Sequence, residues 1–117
     1  GSMPSTAEKY FWTRHSRFKL RQYHLSESRV KRIIRHPLRV EEGILQGAIA
    51  CMQPAGGAKY SEIWAMYVLI KPIPDPVGDK SQTPKIKIIT AWRYPGRSPE
   101  RNPIPQNILQ EVKRLIY

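Results

Sequence analysis

The chain has 117 residues, of which 20 are Lys or Arg and 9 are Asp or Glu, for a formal net charge of +11. This length holds one domain with a modest core, and a pI near 10.2 points to a polyanionic partner, most often nucleic acid. A single cysteine, Cys51, excludes an internal disulfide, and no Cys/His spacing reads as a zinc site, so neither a metal nor another cofactor is expected.

Charge is concentrated near the start. Residues 9–39 carry ten cations against the single acid Glu27, a net +9, which leaves +2 for the rest of the chain. No membrane-length apolar run and no signal-peptide pattern is legible, so a reducing cytoplasm is the expected compartment, without membrane association. Residues 1–3, Gly1-Ser2 ahead of Met3, read as a tag-cleavage scar, and 4–117 as a single domain.

Prolines punctuate the elements. Thr13 is placed to N-cap a first helix running to about Tyr23. Phe11, Trp12, Phe18, Leu20 and Tyr23 fall on one arc of it, with Arg14, Arg17 and Arg21 opposite. His15 and Lys19 lie one turn apart inside the apolar arc. Ser26 caps a second helix to Arg35, with Glu27 in its first turn and a stripe of Val30, Ile33 and Ile34, and His36-Pro37 stops it.

Strands follow. Ile44–Gln53 holds the apolar run Ala48–Met52, Ala55–Ala58 is a turn, and Ile63–Ile70 is apolar on both faces. Lys71–Pro84 reads as an irregular Pro-rich loop, and Lys85–Tyr94 as a third strand. Strict alternation puts Ile86, Ile88, Thr90, Trp92 and Tyr94 on one face, and Lys87, Ile89, Ala91 and Arg93 on the other. Tyr94–Pro105 is a loop, and Gln106–Ile116 a last helix with Ile108, Leu109, Val112, Leu115 and Ile116 toward the core. The order predicts an α+β domain: two N-terminal helices on a small curved antiparallel sheet of three or four strands, plus a C-terminal helix.

Thr13-Arg14-His15, Leu20, Leu25, the Ser26 cap, Val30, Ile33, Ile34 and the closing Pro37 resemble the start of the domain shared by colicin D and the BrnT and RelE toxins. These belong to the barnase–EndoU–colicin–RelE superfamily of metal-independent ribonucleases. The resemblance spans roughly Trp12–Val40 and implies RNA cleavage or ribosome targeting, with His15 at the family's leading His position. Tyr23 stands where an Arg is usual and His24 where a small residue is usual, which removes one expected cation.

Metal-free RNA cleavage needs a base, an acid and cations around the phosphate. His15 is the candidate acid or base, with Lys19 to hold phosphate or depress the His pKa. Arg93 is suited to clamp a phosphate, and Trp92 or Tyr94 to stack a base. The expected catalytic set is therefore His15, Lys19, Arg93 and Tyr94. Arg14, Arg17, Arg21, Arg29, Arg32, Arg35, Trp92 and Arg97 form the expected nucleic-acid-binding set.

Plainer readings stand beside these. His15 packs on the sheet, Thr90, Trp92 and Tyr94 form a core face, and Arg93 pairs with Glu41, Glu42 or Glu62. His24, His36, Tyr67 and Cys51 read as structural. Two functions compete: a metal-independent RNA endonuclease or ribosome-targeting toxin, and a non-catalytic nucleic-acid-binding module on the same fold. The partner is RNA or the ribosome, or an acidic antitoxin protein that neutralises the basic segment.

Overall fold

The computed structural model describes residues 10–42, 45, 47–70, 85–99 and 103–116. In chain order the elements are β1 (Tyr10–Trp12), α1 (Arg14–Gln22), α2 (Glu27–Arg35), β2 (Arg39–Glu42), β3 (Ala48–Pro54), β4 (Ser61–Ile70), β5 (Lys85–Pro95) and α3 (Gln106–Ile116). The strands form one sheet in the order β1-β5-β4-β3-β2. β2 to β5 pair antiparallel, and β1 pairs parallel with β5, Tyr10 opposite Ile86 and Trp12 opposite Ile88.

The α+β class and the three helices match expectation, and the sheet differs from it. It is mixed and has five strands. The two strands absent from the sequence reading are its edges. β1 is only three residues long, too short for a period to show. β2, Arg-Val-Glu-Glu, has no apolar alternation to read, and it turns two charges inward: Arg39 and Glu41 are half-buried while Val40 and Glu42 are exposed. The expected Lys71–Pro84 loop lies outside the described residues.

Local chemistry sets the helix ends. The Thr13 hydroxyl accepts from the Ser16 amide at 3.0 Å and donates to the Ile88 carbonyl at 3.0 Å, so one side chain starts α1 and ties it to β5. α1 ends in a Schellman motif. The Leu25 amide donates to the Leu20 carbonyl and the His24 amide to that of Arg21, with His24 in the left-handed region at φ 55°. Ser26 caps α2 by accepting from the Arg29 amide at 3.0 Å. At its far end the Gln53 amide donates to the carbonyls of Arg32 and His36.

The sheet has an apolar core on each face. On one, Leu20, Val30 and Ile33 of α1 and α2 pack with Cys51, Ile63, Ala65, Ile88 and Ala91. On the other, Ile108 and Val112 of α3 pack with Met52, Trp64, Met66, Ile89 and Trp92. Tyr23 touches both cores. α1 thus spans the two layers along the edge of β5 that β1 leaves uncovered.

A register shift between Met66 and Tyr67 corrects the expected alternation in β5. Met66 faces Thr90 and Tyr67 faces Ile88, so Ile89 is an extra residue, a β-bulge. Beyond it the faces exchange. Ile86, Ile88 and Ala91 share the α1/α2 core, whereas Ile89 and Trp92 share the α3 core. The side chain of Phe18, expected on the apolar arc of α1, is 55% exposed. Ser16, Lys19 and Leu20 are the buried residues of that helix instead.

Candidate functional site

His15 and Lys19 come together on α1, and a third residue joins them. The Lys19 ammonium lies 2.9 Å from Oε2 of Glu111 on α3 and donates to Gln22 Oε1 at 3.0 Å. His15 Nε2 is 3.6 Å from the same Glu111 oxygen, buried and without a hydrogen-bond partner. Burial lowers the His15 pKa, Lys19 lowers it further, and Glu111 partly opposes both. A general base needs its nitrogen within reach of substrate. Here that nitrogen faces a carboxylate in the contact between α1 and α3, and the Lys19 charge is already matched. The cluster is a polar clasp between two helices. Glu111 is the sole acid of α3. Two polar side chains inside one apolar arc signal a polar contact there, but not that Glu111 supplies it.

The rest of the expected catalytic set lies elsewhere. Arg93, on the exposed end of β5, donates from Nε to the Tyr23 carbonyl at 2.8 Å. Tyr23 stands eight residues beyond His15, about 12 Å along the helix axis. Arg93 therefore sits at the far end of α1 from His15. Tyr94 is half-buried against the α3 core, on the opposite sheet face. Glu41 and Glu62, two carboxylates weighed for Arg93, both engage Arg39. Trp92 is fully buried, stacked on Trp64 at 5.9 Å and donating from Nε1 to the Pro103 carbonyl. No base can reach it, so Trp92 is a core residue.

The arginine faces are open. α1 exposes Arg14, Arg17 and Arg21, and α2 exposes Arg32 and Arg35. Arg17 pairs with Glu27 at 2.7 Å, and Arg35 donates to the Tyr10 hydroxyl at 3.3 Å. Arg29 is half-buried and crosses to β3, where it donates to the Pro54 carbonyl at 2.9 Å. Its Nε is buried without a partner. Burial, then Arg32, then Arg93 lower the Arg29 pKa. Arg29 thus sits within the fields of two other guanidinium groups. An open groove of about 550 Å³ runs beside Arg29 and Arg32, walled by His36, Pro37, Leu38, Gln53 and Pro54, with no carboxylate in its lining. This combination suits an anion with several oxygens, because clustered guanidinium forks match phosphate geometry.

Around the same end of the sheet lies a second concavity of about 310 Å³, lined by Leu38, Arg39, Tyr60, Glu62, Arg97 and Ser98. Glu62 is 1% exposed. It accepts from Trp64 Nε1 and the Tyr60 hydroxyl, both at 3.0 Å, and from the Ser98 amide at 3.2 Å. Burial alone would raise its pKa, but the hydrogen bonds from Ser98, Trp64 and Tyr60 outweigh it and hold the carboxyl below its ordinary value. The Arg97 guanidinium lies 4.8 Å from the centre of the Tyr60 ring. Sequence reading singled out Arg97 but not Tyr60.

Cys51 is buried, with its thiol pKa raised by burial, and the neighbouring Tyr67 is pushed up to about 12, also chiefly by burial. Both are unreactive at neutral pH. Among the described residues no group of three or more His, Cys, Asp and Glu is placed to hold a metal, and no helix is long and apolar enough to cross a membrane. No family model, curated protein or solved structure matches the chain.

Proposed function

We propose that this protein binds RNA through the arginine-rich face of α1 and α2 and does not cut it. The observation that carries this reading is that Arg29 and Arg32, one helical turn apart on α2, line a groove that has no carboxylate in its lining. Cations held together without an acid repel one another, and a bound phosphate relieves the repulsion. The surrounding arginines, Arg14, Arg17, Arg21 and Arg35, extend the positive field that draws a polyanion in. The expected cleavage chemistry has no such support. His15 is turned into a clasp, and Arg93 and Tyr94 lie away from it on different sheet faces.

The test is incubation with a 5′-labelled RNA in EDTA, read both as a mobility shift and as strand integrity. We expect a complex with a Kd on the order of 10⁻⁴–10⁻⁶ M at physiological salt, intact RNA after long incubation, and weaker binding by Arg29→Ala/Arg32→Ala. Absence of a complex even at low salt overturns the binding reading. Products ending in a 2′,3′-cyclic phosphate, lost in His15→Ala, would restore the nuclease in its place.

A further inference from the structure

The groove and the second concavity share a wall. Leu38 lines both and is 65% exposed. The two open on opposite faces of the sheet and meet at its end, where strand pairing brings their backbones together. Arg29 is bonded to the Pro54 carbonyl, and Pro54 lies opposite Glu62 on the adjacent strand, one strand spacing of about 4.8 Å away. Tyr60 is two residues before Glu62. The groove lies on the α2 side of the sheet with Gln53, and the pocket on the α3 side with Met52 and Glu62, so a strand resting on Arg29 and Arg32 reaches Tyr60 by crossing the end of the sheet over Leu38.

At that point the surface changes from purely cationic to cationic and aromatic. The Tyr60 ring is 39% exposed, and its hydroxyl is anchored on Glu62. Arg97 lies against the ring and, among the described residues, meets no carboxylate. A tyrosine ring fixed at one end, with a guanidinium lying over one face, offers what an unstacked base uses: a flat π-surface and a delocalised planar cation to stack on. The volume, about 310 Å³, is at the low end of ligand-sized pockets. A base held inside a duplex cannot enter such a pocket, because it stays stacked between its neighbours.

We infer that the pocket of Tyr60 and Arg97 receives an unpaired base of a single-stranded RNA whose adjoining phosphates occupy the Arg29–Arg32 groove. This rests on the RNA-binding reading above and adds strand form to it.

The test compares fluorescence anisotropy of one 12-nucleotide RNA, single-stranded and annealed to its complement, with the full chain and three variants. The single strand is expected to bind more tightly than the duplex. Tyr60→Ala should weaken the single strand roughly tenfold, as for one lost base–aromatic stack, and leave the duplex unchanged. Tyr60→Phe, which keeps the ring and loses only the bond to Glu62, should bind as the parent does. Arg29→Ala should weaken both forms. If Tyr60→Ala fails to fold by circular dichroism, Arg97→Gln takes its place and should show the same loss confined to the single strand. Unchanged single-strand affinity, equal losses on both forms, or a Phe variant as impaired as the Ala variant would overturn the inference while leaving RNA binding intact. Failure of the parent chain to bind either form would overturn both readings together.

Discussion

Arg29 departs from the ordinary rule that a partly buried cation has a carboxylate beside it. It leans on a backbone carbonyl and lies within the fields of Arg32 and Arg93, which add to burial in lowering its pKa. His15 shows the opposite case, a group that reads as chemistry in sequence and serves as structure. Its folded pKa lies below the ordinary 6.5, chiefly through burial. The unfolded chain therefore takes up the proton more readily. The stability contributed by neutral His15 is complete above about pH 6.5 and is lost as pH falls through the lower folded value. The groups facing it are Lys19 and Glu111. Thermal melts should show Tm declining from pH 7 to 5 in the parent chain and a flatter profile in His15→Asn; identical profiles would contradict this account. His24 makes a separate prediction. As a non-glycine residue at φ 55° it carries a backbone cost that glycine avoids, so His24→Gly should stabilise by about 1 kcal/mol in urea denaturation. Both helix N-caps were legible, because Thr13 and Ser26 act through local bonds to amides three residues on. Glu111 was not, because its role depends on α3 meeting α1 at long range.

Among the elements, helix identity followed from caps and periodicity, whereas sheet detail did not. The bulge at Ile89 is invisible to an alternation rule, yet it decides that Ala91, rather than Trp92, shares a face with Ile88. The short edge strands β1 and β2 escaped for want of length and of an apolar inner face. Inward charge on β2 is matched within the strand and from β4: Arg39 pairs with Glu41 at 2.9 Å and reaches Glu62 at 3.6 Å, and its guanidinium lies 5.1 Å from the Trp64 ring centre. Glu62 joins β4 to β2 and to the segment after β5 through Arg39 and Ser98. Glu62→Gln replaces an acceptor of several hydrogen bonds with a donor, and should cost about 3 kcal/mol in denaturant unfolding. A loss below about 1 kcal/mol would mean that the network does not hold this end of the sheet. Because the folded pKa of Glu62 is depressed, its contribution is present above about pH 4.5 and lost as pH falls through the folded value. This acid-side decline lies below the His15 window.

For the whole molecule, the bulk charge divides into two uses. Lys19 and Arg39, both in the basic segment, are matched by Glu111, Glu41 and Glu62 and hold elements together. Arg14, Arg21, Arg29, Arg32, Arg35, Arg93 and Arg97 meet no carboxylate among the described residues and are available to bind an anion. The sequence showed where cations are dense. Only the fold shows which are already neutralised, since each matching acid except Glu41, on the same strand as Arg39, comes from a later element. The most direct measurement of the central claim is the dependence of RNA affinity on salt. Each phosphate contacted in a single strand contributes about −0.7 to the slope of log K against log salt. The two guanidinium groups lining the groove predict a slope of roughly −1.4 or steeper, and Arg29→Ala/Arg32→Ala should make it shallower by about that amount. A slope near zero, or one that the double variant leaves unchanged, would contradict binding through this groove.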